Sequence, residues 1–208
     1  MRADAARNRQ AVLDAARDLF AVHGLEVSME TIAQTAGVGV GTIYRHFPDR
    51  SALVQAMIRD RIAHVSALAS TAEQDLWGPD PAAAWDAFFT GFIASGLPLL
   101  LPVLLAHVHE ANVFAPEIVA ARNALIRRAD VLFHRAQELG LMHPDLALPE
   151  VALMLGAVAR VQPGLPLEVH RALLARRLVL VRAAFQPGGP PLPGVPVTVD
   201  QLLATLDT

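Results

Sequence analysis

Apolar residues recur every three or four positions along most of the chain, a spacing that predicts helices and no convincing strand. The first run, Arg9–His23, carries Val12, Ala16, Leu19 and Phe20 on one face and stops at Gly24. Ser28 is suited to cap a second, short helix, with Glu30 in its first turn and Ile32, Ala33 and Ala36 facing inward. Val38 plugs the turn that follows. In the third helix, at about 100° per residue, Ile43 and Phe47 fall together and can be buried. Thr42, Arg45 and His46 point the other way, with Tyr44 and Gly41 at the margin of that outer face. Pro48 closes this helix, and Asp49 caps a long fourth one over about Arg50–Ser70. Its apolar positions Leu53, Val54, Met57, Ile58 and Val65 run past the small amino-terminal unit, so this helix is a mechanical connector.

Asp80 and Pro81 open a fifth helix, as an N-cap and a proline at the first helical position. Trp85, Phe88, Phe89, Phe92 and Ile93 make it the most aromatic segment. A sixth helix is expected over about Leu99–Asn112, and Pro116 opens a seventh that runs to Gly140. After a loop over His143–Leu148, Pro149 opens an eighth helix ending near Gln162, and a ninth covers Leu167–Gln186. The stretch Pro187–Val199 holds five of the fifteen prolines and reads as an extended linker. Val199, Leu202, Leu203 and Leu206 then form either a short helix docked on the body or a frayed tail. The fold class is all-α, in three parts: a helix-turn-helix unit over residues 1–48, a helical body over 49–186, and a proline-rich tail over 187–208.

Composition agrees. The chain is 53% hydrophobic but only 5% aromatic, with many Ala and Leu, which favours helices over sheets. The net charge of −3 divides into +1 over residues 1–62 and −4 over 63–208. That sign suits a DNA-binding amino terminus, although the asymmetry is small. Every basic side chain is Arg and none is Lys. The absence of cysteine excludes disulfides, thiolate chemistry and Cys-based zinc sites. The opening MRADAARNRQ lacks the apolar core of a signal peptide. Ala87–His109 has no Asp, Glu or Arg and imitates a membrane span, but Gly91, Gly96, Pro98 and Pro102 break it. It reads as two buried helices with a break near Ser95–Pro98, in a cytoplasmic protein without membrane contact.

The chemistry concentrates in Thr31–Arg50, TIAQTAGVGVGTIYRHFPDR. A short helix whose exposed side carries an Arg, hydroxyls, an imidazole and a bare glycine suits insertion into a major groove of DNA. The eight histidines offer little by comparison. His107 and His109 lie about 200° apart around a helix and cannot chelate one ion. His107 and Glu110 share a face, and nothing in the sequence brings His64 or His134 to them. No Ser-His-Asp order, phosphate-cradling glycine loop or paired carboxylate set stands out, so the chain does not read as an enzyme. The alternative is a small helical enzyme or metal-responsive protein using the His107/Glu110 face. No cofactor or metal site is expected.

The helix Arg9–His23 (RQAVLDAARDLFAVH), Gly24, SMETIAQTAGV, GTIYRHF, the acidic cap and Arg50 together resemble the opening of the TetR family of bacterial transcriptional regulators. The resemblance covers roughly the first third of the chain; beyond about Arg61 only the helical layout agrees. It implies distinct roles. Val40 and Gly41 sit at the helix start, where an apolar side chain meets a thymine methyl and glycine permits close approach. Arg45 reads a base, because its fork matches guanine O6 and N7. Thr42, Tyr44, His46 and Arg50 clamp phosphates, and Ser28 adds another phosphate contact. Two departures matter: many members carry Lys where Arg50 stands, and the GVGVG turn offers no long polar reader, so operator choice leans on Arg45 and DNA shape.

For the body, the resemblance implies an effector cavity and a four-helix dimer interface. Trp85, Phe88, Phe89, Phe92, Leu104, Val108, Ile126 and Phe133 are the candidate cavity walls, with His107 and Asn112 as polar handles. Leu153, Gly156, Ala157 and Arg160 on the eighth helix, and Leu174, Arg177, Leu178 and Val181 on the ninth, are the candidate interface. The partners so implied are a near-palindromic double-stranded operator, a small and mainly apolar or amphipathic effector, and a second copy of the chain. The expected function is a repressor that this effector releases from its operator.

Overall fold

Three side chains set three of the helix starts. Ser28 Oγ accepts the Thr31 amide at 3.1 Å, Asp49 accepts that of Ala52 at 2.7 Å, and Asp80 accepts that of Ala83 at 3.0 Å. Each satisfies an amide that a helix start leaves without an intrahelical partner. The computed structural model describes residues 2–23, 27–97, 115–159 and 165–206.

These residues form nine helices and no strand. They are α1 (Arg2–His23), α2 (Met29–Thr35), α3 (Val40–His46), α4 (Arg50–Asp75) and α5 (Pro81–Ala94), followed by α6 (Pro116–Glu138), α7 (Leu148–Ala159), α8 (Leu167–Ala184) and α9 (Val199–Leu206). The helix expected over about Leu99–Asn112 lies outside the described residues, and with it Leu104, His107, Val108, Glu110 and Asn112. Arg160 lies outside them as well.

Two boundaries differ by more than a helical turn from the reading of apolar spacing. The first helix starts at Arg2 rather than Arg9, because an exposed, alanine-containing turn with Asp4 near its start extends it without any apolar stripe. The fourth continues to Asp75, since Ala72 and Leu76 are buried beyond Ser70. At the other end of the chain, α9 docks rather than frays: Val199 and Leu203 are buried, and Arg127 of α6 meets Asp200 at 2.9 Å.

One hydrophobic cluster runs from Val12 and Phe20 of α1 through Leu53, Met57 and Val65 of α4 to Leu125 and Leu132 of α6. α4 is the shared element, packing on α1, α5 and α6. Gly91 of α5 faces Leu68 of α4: a Cβ there would lie 3.0 Å from a terminal methyl of that side chain. Ion pairs fasten α6 to the same helix, with Arg59 to Glu117 at 3.3 Å and Arg128 to Glu73 at 2.6 Å. No described helix is long and apolar enough to cross a membrane.

Candidate nucleic-acid interface

α3 is held from beneath. Ile43 is fully buried, and Phe47, its C-cap residue, is buried against the Arg9 guanidinium, which lies 5.5 Å from the ring centre. Burying two such side chains contributes about 1.5–3 kcal/mol each, enough to fix a seven-residue helix that would be unstable alone. Gly37, at φ 67°, makes the turn that sets α3 against α2.

The opposite side is open. Val40, Gly41, Tyr44 and Arg45 are exposed, while Thr42 and His46 are half-buried. His46 tilts against the Phe47 ring, 6.2 Å between centres. A Cβ built at Gly41 meets no atom within 4 Å. Among the described residues nothing crowds this position, so the start of α3 is open to a close approach from outside.

Ser28 and Arg50 flank this face. The Ser28 hydroxyl already works as the α2 cap and lies 2.9 Å from the Thr31 hydroxyl. One contact escaped the sequence reading: the Tyr44 hydroxyl donates to the Glu30 carboxylate at 3.2 Å. Glu30's own backbone amide, then this hydroxyl, hold its carboxyl below the ordinary value. Tyr44 is pushed up, first by partial burial and then by Glu30. The two residues are fourteen apart on different helices, so only the caps hinted at their meeting.

The candidate effector residues that can be described do come together, as a packed aromatic cluster. Trp85 lies 5.7 and 5.9 Å from Phe88 and Phe89 and meets Phe133 edge-on at 5.2 Å. Phe92 stacks on Phe88 at 6.4 Å, and Phe89 meets Phe185 edge-on at 6.0 Å. Trp85, Phe88, Phe89 and Phe133 are buried; Phe92 and Ile126 are half-buried against the same core. No group of three His, Asp or Glu side chains among the described residues could hold a metal ion.

On α7 and α8 the candidate interface residues divide. Leu153 and Ala157 are exposed, whereas Gly156 is buried, and Leu178 and Val181 pack on this chain's own core. Leu174 and Arg177 are half-buried. The outward apolar side of α8 instead carries Val179 and Leu180, 68% and 69% exposed, with Val169 and Ala183. Met154 joins Leu153 on α7.

Residues 12–57 match the family model of bacterial regulatory proteins, tetR family. A 60-residue segment is 47% identical to an HTH-type transcriptional regulator of Staphylococcus aureus, covering 28% of this chain and 32% of that one. The chain thus matches about a third of the length of that relative. A TetR transcriptional regulator from Streptomyces coelicolor superposes with a TM-score of 0.53 at 27% identity, over 87% of this chain and 99% of that one. A TetR regulatory protein from Mycobacterium vanbaalenii is 32% identical over 89% of this chain and 98% of its own length, with a TM-score of 0.48. The chain belongs to the TetR family.

Proposed function

We propose that the protein is a homodimeric, DNA-binding transcriptional regulator of the cytoplasm, a repressor rather than an enzyme. The observation that carries this reading is α3, clamped below by Ile43 and Phe47 and bare above at Val40, Gly41, Tyr44 and Arg45. Arg45 reads a base edge, Val40 and Gly41 lie against the groove floor, and Thr42, Tyr44, His46, Arg50 and Ser28 meet phosphates. Two copies set their α3 helices in successive major grooves, about 34–36 Å apart, on a near-palindrome.

Dimerisation buries the outward side of α7 and α8, centred on Leu153, Val179 and Leu180. Without a partner, that stripe leaves large apolar side chains in water. The effector is a small, mainly apolar or amphipathic molecule bound against the aromatic side chains of α5 and α6.

A contact route supports release by such a ligand. α5 ends at Ser95, whose carbonyl accepts from Arg61 of α4 at 3.3 Å, and at Gly96, where a Cβ would come within 3.0 Å of Arg17 of α1. A ligand that shifts α5 acts on α1, which packs on α3, and on α4, which follows α3 after a short link. It must prefer the non-binding state, because equal affinity for both states shifts nothing. Substituting Phe92→Ala tests this assignment. Effector-induced release should weaken while ligand-free DNA binding stays unchanged; loss of ligand-free binding would mean that Phe92 serves only the core.

A further inference from the structure

The carboxy-terminal segment folds back across α6 and leaves an open cleft of about 510 Å³ between them. Residues 196–200, residues of α6 and the segment Pro144–Leu148 line it. The volume is within the range of small-molecule sites, about 300–1,000 Å³. The segment is well anchored. Besides the burial of Val199 and Leu203, Arg127 holds Asp200 at 2.9 Å and the Leu192 amide donates to Asp145 at 3.0 Å. Buried His143 accepts the Asp145 amide on Nδ1 at 3.2 Å and donates from Nε2 to the Pro190 carbonyl at 3.2 Å. The cleft is therefore a feature of the fold and not a gap beside a loose strand.

Its lining combines apolar side chains with three carboxylates. Val131 of α6 is 66% exposed and Val197 of the tail is 47% exposed, both in the cleft wall, and buried Phe133 and Leu146 lie deeper. Asp130, Asp145 and Asp200 contribute three carboxylates. Arg127 is the one Arg in the lining, and it is engaged by Asp200. His134 donates from Nδ1 to the Asp130 carbonyl at 2.8 Å, and the same nitrogen lies 3.7 Å from the Asp130 carboxylate. Asp130 and Asp145 thus keep carboxylate charge that no Arg of the cleft offsets.

We propose that this cleft binds an amphipathic organic cation. Its apolar body lies between Val131 and Val197, and its ammonium or guanidinium group lies beside Asp130 and Asp145. A carboxylate ligand of the same shape meets like charge there and is rejected. The cleft shares buried Phe133 with the effector assignment above but none of the α5 aromatics, and the proposal does not rest on that assignment. Occupancy would fasten the tail to α6, because the ligand touches both.

Titration of the full-length protein with 4-phenylbutylamine and with 4-phenylbutyrate, followed by NMR or calorimetry at low salt, tests the proposal. The two probes share a body and differ in charge. The amine should bind at least about tenfold tighter than the acid, and Asp130→Asn with Asp145→Asn should remove that preference. Both substitutions keep an acceptor oxygen, so the Leu192 anchor survives. Val131→Trp, at a position already facing solvent, should fill the cleft and abolish binding. Equal affinity for both probes, or no saturable binding at millimolar concentration, would overturn the proposal. So would amine binding that survives both sets of substitutions.

Discussion

The Tyr44 hydroxyl donates to the Glu30 carboxylate at 3.2 Å, tying the outer face of α3 to the first turn of α2. If Tyr44 clamps a phosphate, its hydroxyl must change partners when DNA arrives. Glu30 meanwhile places a negative charge beside the backbone. Glu30→Gln removes the charge and keeps the acceptor, so it should tighten DNA binding by about 1 kcal/mol, roughly fivefold, at low salt. The gain should shrink as salt rises. Titrations at several salt concentrations decide the matter; weaker binding by the variant would instead make Glu30 a positioning residue for Tyr44.

Gly41 separates stability from binding. Since a Cβ there meets nothing within 4 Å, Gly41→Ala should leave the fold unchanged or stabilise it by about 0.5–1 kcal/mol through helix propensity. Operator affinity should fall, because the added methyl stands where the groove approaches. A variant with raised melting temperature and unaltered DNA binding would move the groove contact away from the start of α3.

Leu178 and Leu180 are two residues apart and should fail differently. Leu180→Glu should leave a folded monomer, since its side chain faces solvent in the single chain. Leu178→Ala should lower stability by a few kcal/mol at most, about 2–5 for a fully buried leucine, and less here because it is half-buried. Light scattering and thermal unfolding on both variants distinguish the outcomes. A dimeric Leu180→Glu would place the interface elsewhere. Gly156→Glu is a poorer test, because buried Gly156 would perturb the monomer as well.

Arg128 grips Glu73 through Nε and Nη2, at 2.8 and 2.6 Å, and reaches Ser70 at 2.9 Å. The hydrogen bonds from Arg128 hold the Glu73 carboxyl below its ordinary value. A depressed carboxyl stabilises the fold above the unfolded value and loses that contribution as pH falls through the folded one. Both side chains are more than a third exposed, so the pair is worth only about 0.2–1 kcal/mol. Arg128→Met should therefore lower the urea midpoint at neutral pH, and the gap from the parent protein should close in acid below the carboxylate range. A gap that persists there would assign the effect to packing.

Much of this architecture is legible in the residues because caps are local. Ser28, Asp49, Asp80 and Pro116 each open the helix that their chemistry predicts, and the burial of Ile43 and Phe47 follows from spacing alone. The exposed side of α3 follows from the same spacing. The facing of α8 does not. Leu178, Val179, Leu180 and Val181 are apolar around a full turn, so periodicity cannot say which two face this chain and which two face outward. The structure rotates the outward stripe onto Val179 and Leu180. The Glu30–Tyr44 bond was hidden for another reason: it joins two helices whose relative placement depends on the core beneath them. The start of α1 was hidden because polar, exposed turns carry no hydrophobic signal.

Selection from a random duplex DNA library, run in parallel with the parent protein and Arg45→Ala, tests the central claim most directly. The account predicts an enriched near-palindrome whose half-site centres lie about one helical turn apart. Arg45→Ala should lose about 1–3 kcal/mol on that sequence and lose its preference at one base pair per half-site. No enriched sequence, or the same sequence preference with and without the Arg45 guanidinium, would contradict it.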